Sequence, residues 1–168
     1  VTDPNERHVR YLRNLFEHQP QVKVGLLDVE SDRWEVADGE KVDTVLSMNL
    51  LEHLRDDVAV VRRCASRLAP GGRVVALVPA HPWLFGRMDE ELAHVRRYTR
   101  ASLAALMREA GLEVDRVAYF NRLGVPGWWF SGRVLRRKTI PGWQSRVMNR
   151  LVTLARLERW IPVPFGLS

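Results

Sequence analysis

The sequence predicts an α/β fold, doubly wound around a mainly parallel sheet. Three short apolar runs, Val22–Leu27, Val42–Met48 and Arg73–Val78, have the composition of buried strands. Between the second and third runs, residues 56–68 repeat apolar side chains at helical spacing, and residues 70–72, Pro-Gly-Gly, predict the end of that helix. A strand, a helix and a second strand in this order form a right-handed parallel crossover unit.

The composition indicates a globular chain with one domain. Its 168 residues are 46% hydrophobic and 27% charged, which are ordinary globular values. A single cysteine, Cys64, excludes an internal disulfide, and its place on the apolar side of a helix favours a buried, inert thiol. No apolar run is long enough to span a membrane, and no signal peptide is visible. These features predict a cytoplasmic location.

Charge is distributed unevenly along the chain. Residues 1–94 contain 12 Lys and Arg against 16 Asp and Glu, a net charge of −4. Residues 95–168 contain 14 against 4, a net charge of +10. The basic part predicts an anionic partner or surface, although a merely solvated Arg-rich surface remains open.

Near the start of the chain, Asp3, Pro4 and Glu6 predict a helix start. Asp3 is a good N-cap, Pro4 suits the first helical position, and Glu6 completes a pattern similar to a capping box. Val9 and Phe16 then lie on one face of the predicted helix.

The central stretch carries an ordered motif. It has the pattern D-x-V-x-x-x-N-x-L-E-H-L, followed by a helix, then L-x-P-G-G-R and an apolar strand that ends in proline. The residues that match are Asp43, Val45, Asn49, Leu51, Glu52, His53, Leu54, Leu68, Pro70, Gly71, Gly72, Arg73, Val78 and Pro79. In this order and spacing they resemble the class I S-adenosylmethionine-dependent methyltransferases, and residues 79–98 resemble one bacterial subgroup of that family. The resemblance implies a Rossmann-like sheet and S-adenosylmethionine as the cofactor.

The resemblance also assigns cofactor contacts. It implies that Asp3 accepts hydrogen bonds from the ribose hydroxyls, and that Asp28 and the backbone of Val29 contact the adenine. Asn49 and Leu50 would lie beside the methionine portion. Purely structural roles stay open: helix capping for Asp3, an acidic loop for Asp28, and closure of a strand end for Asn49.

One expected feature is missing from the sequence. In the family, a first strand and a loop of the type G-x-G-x-G precede the ribose-binding acid, and nothing before Asp3 supplies them. Residues 164–168 resemble the beginning of a last apolar strand. We therefore expect a sheet that is incomplete at both ends, with a gap or abnormal pairing at the place of the first strand. A chain of this kind should bind the cofactor only weakly by itself.

Residues 79–98 predict the border of an acceptor pocket. The His-x-Arg-Arg-Tyr run has this position in the subgroup that the chain resembles. Arg pairs bind carboxylate or phosphate, and a histidine can take a proton from an acceptor hydroxyl. The predicted catalytic residues are His81 and His94, and the predicted substrate contacts here are Trp83, Arg96, Arg97 and Tyr98. The alternative is structural, with Arg96 or Arg97 paired to Asp89 or Glu90.

Further elements are predicted after residue 98. Thr99 should cap a helix that stops at Gly111, and Leu112–Asn121 should form a strand. Asn121 and Trp128 are further predicted substrate contacts. Trp143–Trp160 predicts an amphipathic helix, either interfacial, a lid over a lipid-like acceptor, or simply packed on the sheet.

We therefore expect one methyltransferase-like domain, with a cofactor-side part at residues 1–78 and an acceptor-side part at residues 79–168. Its expected function is methyl transfer to a small or lipid-like acceptor, with association at an anionic membrane surface as a further expectation. The sequence spacing shows no metal-binding cluster, and the reaction requires no metal. Two alternatives are a nucleic-acid-binding or RNA-modifying protein that uses the basic part, and a non-catalytic methyltransferase-like fragment. The dispersed basic residues and the lack of a recognition motif argue against nucleic acid.

Overall fold

The computed structural model describes residues 1–31, 41–119, 121, 124–130 and 166–168. The strands are β1 (Thr2–Asp3), β2 (Gly25–Leu26), β3 (Val42–Met48) and β4 (Leu68–Leu77). The helices are α1 (Glu6–Leu15), α2 (Asp57–Ser66), α3 (Arg87–Glu91), α4 (Arg100–Glu109) and α5 (Gly124–Trp129), with short 3₁₀ turns at Leu51–His53 and Pro82–Leu84. The chain divides into two compact units, Val1–Val42 and Asp43–Ser168. The predicted α/β class is confirmed.

The first unit is a strand, helix and strand in which β1 and β2 pair in parallel. Thr2 lies opposite Gly25 and Asp3 opposite Leu26. The backbone N–H of Leu27 donates to the carbonyl of Asp3 at 3.1 Å. The predicted strand Val22–Leu27 is shorter in the structure because β1 offers only two residues for pairing.

Helix α1 begins two residues later than the sequence predicts, with Asn5 rather than Asp3 as its N-cap. Asp3 is not its N-cap, since Asp3 is the last residue of β1 and its Oδ1 accepts the N–H of Asn5 at 2.8 Å. Asn5 is the N-cap, and its side chain accepts the N–H of Arg7 at 2.9 Å. Val9 is buried, as its place on the inner face predicts.

In the second unit, β3 and β4 form a two-stranded sheet. The N–H of Asn49, just past β3, donates to the carbonyl of Leu77, the last residue of β4, at 2.9 Å. The carboxyl ends of the two strands therefore lie together, which makes the pair parallel as predicted. Helix α2 joins them and packs against β4.

The predicted continuous doubly wound sheet is not seen in the described part of the chain, where the strands form two sheets of two strands each. The prediction that Val42–Met48 is a buried strand is also wrong for most of its length, since Ser47 is the one buried residue of β3. Leu46 is 64% exposed and Met48 is 54% exposed, because a two-stranded sheet covered by a helix leaves its other face open.

The start of β4 corrects the prediction for residues 70–72. Helix α2 ends at Ser66 with Arg67 as its C-cap, and β4 begins at Leu68 rather than at Arg73. Gly71 lies within the strand with a φ of 78°, a conformation that favours glycine. The Pro-Gly-Gly sequence therefore bends a strand instead of ending a helix.

Helix α4 follows its predicted boundaries. Thr99 is the N-cap: its Oγ1 accepts the N–H of Ser102 at 3.0 Å, and the Oγ of Ser102 accepts the N–H of Thr99 at 2.9 Å. Gly111 follows the helix with a φ of 90°, as expected for a C-terminal stop. Helices α2 and α4 pack together, and Arg62 donates to the carbonyl of Glu109 at 3.1 Å.

The strand predicted at Leu112–Asn121 does not form over residues 112–119. The alternating side chains are nevertheless half-buried, as the sequence pattern predicts. They are Leu112, Val114, Val117 and Tyr119. The backbone of residues 113–119 forms no ladder hydrogen bonds with other described residues. Trp143–Trp160, the predicted amphipathic helix, lies outside the described residues. Among the helices that the structure describes, none has the length and apolar character needed to cross a membrane.

Candidate functional site

Two carboxylates mark the carboxyl edge of the β1–β2 pair. Asp3 ends β1 and is half-buried, while Asp28 follows β2 and is exposed. The Oδ1 of each accepts a backbone N–H, from Asn5 at 2.8 Å and from Glu30 at 3.0 Å. The Oδ2 of each has no hydrogen-bond partner among the described residues. Each of the two adjacent strand ends thus carries one such acceptor oxygen, and the half-buried Val29 follows Asp28.

Asn49 and Leu50 lie at the carboxyl end of β3. Asn49 has a φ of 48°, in the left-handed region that asparagine tolerates better than most residues. Its backbone N–H closes the strand end, and its side chain is exposed. The carbonyl of Leu50 accepts the N–H of His53 at 3.0 Å, which shapes the turn Leu51–His53.

Asp89 is the centre of a buried polar cluster. It is 0% exposed, and its Oδ1 accepts the Nε–H of Arg97 at 2.7 Å. Its Oδ2 accepts the N–H of Gly86 at 3.0 Å, and the Nδ1 of His94 lies 2.9 Å from Oδ1. Arg97 also donates to the carbonyl of Ala80 at 2.9 Å, and its side chain is 1% exposed. The contact named in the structural alternative for Arg97 is therefore present, and substrate contact by Arg97 stays a prediction.

Arg96 and Tyr98 converge on a second buried carboxylate, Asp57. Arg96 donates to Asp57 Oδ2 at 2.9 Å, and the hydroxyl of Tyr98 lies 2.7 Å from the same oxygen. That hydroxyl also lies 3.0 Å from the carbonyl of Leu51. Burial, and then the hydrogen bond to Asp57, raise the pKa of Tyr98 well above its usual range. The hydroxyl of Tyr98 therefore stays protonated and acts as a hydrogen-bond donor, which links Tyr98 to the segment that follows β3.

Glu52, His53 and His94 meet beside this network. Glu52 is 0% exposed, and burial raises the pKa of its carboxyl group. The Nε2 of His94 lies 3.9 Å from Glu52 Oε1, and the rings of His53 and His94 meet edge to face with centroids 4.8 Å apart. Sequence spacing did not reveal this group, because His94 follows His53 by 41 residues. Only the fold brings them together.

An aromatic cluster surrounds His81. Its ring stacks on Tyr119 with centroids 4.7 Å apart and lies 5.6 Å from the ring of Trp83. The guanidinium of Arg97 lies 4.7 Å from the ring centroid of Trp128. His81, Trp83 and Trp128 were predicted site residues. Tyr119 was not, and its only sequence signal was its place in an alternating apolar pattern.

The backbone holds His81 in place. The N–H of His81 donates to the carbonyl of Tyr98 at 2.9 Å, and its φ of 62° is left-handed. Asn121, another predicted site residue, is half-buried, and its carbonyl accepts the N–H of Leu167 at 3.1 Å. The carbonyl of Leu167 in turn accepts the N–H of Ala80 at 2.7 Å. Residues 80, 121 and 167 are thereby connected through the main chain.

We predict that His81 titrates below the ordinary histidine pKa of 6.5. Burial lowers the pKa of His81, and the positive charge of Arg97 lowers it further. A hydrogen bond with the Gly166 backbone raises the pKa of His81 but does not offset these two effects. The unfolded chain then takes up this proton at a higher pH than the folded chain, so the free energy of unfolding should fall as pH is lowered through about 6.5. Proton NMR of the five histidines measures the pKa, with His81→Gln identifying the signal. A His81 signal that titrates at or above 6.5 contradicts the prediction.

Parallel strand–helix–strand units with polar side chains at the carboxyl ends of the strands are typical of α/β domains that bind ligands at this edge of the sheet. Comparison with known families makes the class specific. The sequence model of the methyltransferase-domain family matches residues 2–117, and the chain belongs to this family. Membership implies S-adenosylmethionine as the methyl donor.

Two curated relatives are similar to part of the chain. The ubiquinone biosynthesis O-methyltransferase of Xanthomonas euvesicatoria pv. vesicatoria (strain 85-10) is 33% identical over 90 residues, and the match covers 45% of this chain and 37% of that protein. The ubiquinone biosynthesis O-methyltransferase of Xanthomonas axonopodis pv. citri (strain 306) is 32% identical over 90 residues, with the same shares. The match spans little more than a third of the length of either relative.

The residues at the β1–β2 edge fit the adenosine part of this cofactor. Ribose hydroxyls and the adenine amino group are hydrogen-bond donors. The Oδ2 atoms of Asp3 and Asp28, which have no partner in the part of the chain that the structure describes, are acceptors at neighbouring strand ends. Asp3 and Asp28 lie in the first compact unit, whereas Asn49, Leu50 and the residues of the aromatic and Asp89 clusters lie in the second.

Proposed function

We propose that the protein is an S-adenosylmethionine-dependent O-methyltransferase that acts on a small, lipid-like hydroxylated acceptor. The observation that carries the proposal is the placement of Asp3 and Asp28 at the carboxyl ends of two paired parallel strands, in a chain of the methyltransferase-domain family. Each carboxylate keeps an acceptor oxygen without a partner among the described residues.

In this proposal, each part of S-adenosylmethionine contacts a different residue of the chain. Asp3 accepts the ribose hydroxyls, Asp28 accepts the adenine amino group, and the backbone N–H of Val29 donates to a ring nitrogen. Asn49 and Leu50 border the methionine portion, a role that the exposed side chain of Asn49 supports. When bound, S-adenosylmethionine supplies a methyl group that its sulfonium already activates. The protein then has to position and desolvate the acceptor oxygen and remove its proton.

We assign proton removal to His81 rather than to His94. The Nε2 of His81 is buried without a hydrogen-bond partner among the described residues, and its lowered pKa keeps the ring neutral and basic near pH 7. The imidazole of His94 is held by Asp89 on one nitrogen and faces Glu52 with the other. The acceptor hydroxyl would therefore pass its proton to His81 Nε2 as its oxygen takes the methyl group, and the electron pair of the broken carbon–sulfur bond would stay with the sulfur of the cofactor.

The acceptor class rests on two further observations. Both curated relatives are named for O-methylation in the biosynthesis of ubiquinone. In this chain, His81, Trp83 and Tyr119 form a cluster of rings, which suits an acceptor with a flat ring. The net charge of +10 on residues 95–168 supports docking at an anionic membrane surface, from which a lipid-like acceptor would be drawn.

Replacing Asp3 or Asp28 with alanine should weaken binding of S-adenosylmethionine by the full-length gene product. Each substitution removes one or two charge-assisted hydrogen bonds, so we expect a loss of roughly 1.5–3 kcal/mol, or about 10- to 150-fold in Kd. Isothermal titration calorimetry measures the affinity, and Asp115→Ala, at an exposed aspartate of the second unit, is the matched control. Unchanged affinity in both the Asp3→Ala and the Asp28→Ala variants would refute the proposed site.

A further inference from the structure

Three potential metal ligands converge where the turn after β3 meets the segment after α3. Glu52, His53 and His94 each offer one ligand atom, and these atoms all lie within 4.8 Å of one another. We propose that Glu52, His53 and His94 form a binding site for a divalent transition-metal cation, with Zn²⁺ as the best fit. The proposal does not depend on the proposed function.

The carboxylate of Glu52 is the observation that calls for a cation. Its side chain is 0% exposed, and neither carboxylate oxygen has a hydrogen-bond partner among the described residues. Burying a carboxyl group without hydrogen bonds is costly, and a buried charge is ordinarily paired or bound to a metal. The Nε2 of His94 lies 3.9 Å from Oε1, which is too far for a hydrogen bond.

Both histidines are oriented as metal ligands. The Nδ1 of His94 lies 2.9 Å from Asp89 Oδ1, and the Nδ1 of His53 lies 3.1 Å from the carbonyl of Ala93. Carboxylate and carbonyl oxygens only accept, so each Nδ1 carries the hydrogen and each Nε2 keeps its lone pair. Metal-binding histidines are commonly held by this kind of hydrogen bond on the far nitrogen.

The main chain also fixes the distance between the two segments. The N–H of Val95 donates to the carbonyl of Glu52 at 2.8 Å, and the N–H of His94 donates to the carbonyl of Asp89 at 2.8 Å. Ligand atoms around a tetrahedral Zn²⁺ lie roughly 3.4 Å apart, given bonds of about 2.0–2.2 Å. His94 Nε2 and Glu52 Oε1 lie 3.9 Å apart, and all three ligand atoms lie within 4.8 Å of one another. Binding therefore requires the side chains to close by roughly 0.5–1.4 Å.

The ligand set selects the class of ion. Two imidazoles and one carboxylate suit Zn²⁺ and its transition-metal neighbours, whereas Ca²⁺ and Mg²⁺ prefer oxygen ligands alone. Three protein ligands leave at least one coordination position open, as in zinc sites that bind water or a substrate.

The test is metal binding by the full-length gene product, freed of metal by chelation and dialysis. After Zn²⁺ is added back and the excess is removed by dialysis, we expect one Zn²⁺ per chain by elemental analysis. Reloading with Co²⁺ instead should give one Co²⁺ per chain with the visible absorption of a protein-bound ion. Glu52→Gln, His53→Gln and His94→Gln should each weaken Zn²⁺ binding at least 10-fold by calorimetry. His18→Gln, at an exposed histidine of the first unit, should leave it unchanged.

Thermal unfolding supplies a second measurement that does not rely on any single variant folding well. Zn²⁺ should raise the Tm of the wild-type protein, and the increase should grow with the logarithm of the Zn²⁺ concentration above Kd, because only the folded chain assembles the three ligands. The same concentration of Zn²⁺ should not raise the Tm of any of the three ligand variants that folds. The proposal is overturned if the wild-type protein retains no stoichiometric Zn²⁺, or if all three ligand variants bind it as the wild type does.

Discussion

Replacing Arg97 with methionine should lower the free energy of unfolding of the second unit by about 3–5 kcal/mol. The guanidinium pairs with Asp89 at 2.7 Å, and the two side chains are 1% and 0% exposed. Methionine fills similar space but leaves the Asp89 carboxylate buried without its counter-charge. The Arg97 hydrogen bond to the carbonyl of Ala80 and its contact with the Trp128 ring are lost as well.

Denaturant unfolding followed by tryptophan fluorescence measures this loss. Five of the six tryptophans lie after residue 43, so the signal reports mainly on the second unit. Arg87→Met is the matched control, since Arg87 is exposed on the same helix as Asp89 and should change stability by no more than about 0.5 kcal/mol. A loss below about 1 kcal/mol for Arg97→Met would show that the pair is not a buried ion pair in solution.

Elements defined by local signals could be predicted from the sequence. The bounds of β3, Val42–Met48, follow from a short apolar run, and the start of α4 follows from Thr99 three residues before Ser102. Each signal acts between residues that are close in the chain, such as a cap and the N–H that it accepts.

Features that depend on distant partners could not be predicted in this way. Residues 112–119 alternate like a strand, but an alternating pattern does not show whether a neighbour is available for hydrogen bonding. Asp3 has the chemistry of an N-cap, yet its pairing with Leu26 places it in β1 and passes the capping role to Asn5. Pairing partners therefore override local preference at these positions.

In the candidate site, too, features of contiguous residues could be predicted from the sequence and features of distant residues could not. The motif around Asn49 and the His-x-Arg-Arg-Tyr run could be recognised from the sequence, since each is contiguous. The proximity of Glu52 and His94 could not be predicted, because about 40 residues that include α2, β4 and α3 separate them in the sequence. Only the folded structure brings the two side chains to 3.9 Å. The buried ion pair of Asp89 and Arg97 was among the alternatives, since both residues belong to one short segment.

Replacing Leu51 with alanine should lower the free energy of unfolding of the second unit by about 2–5 kcal/mol. Leu51 is 2% exposed at the start of the turn that carries Glu52 and His53, and its carbonyl lies 3.0 Å from the hydroxyl of Tyr98. Truncation removes buried methyl groups and leaves a cavity where the neighbouring side chains are held by hydrogen bonds and can relax little.

Leu46→Ala provides the comparison for Leu51→Ala, because it is the same substitution in the adjacent strand β3 at a side chain that is 64% exposed. It should change stability by no more than about 0.5 kcal/mol, since most of the Leu46 side chain already contacts solvent. Denaturant unfolding with tryptophan fluorescence measures both variants. Equal losses for the two would contradict the packing described here, in which Leu51 lies in the core beneath the polar network and Leu46 lies on an open face of the sheet.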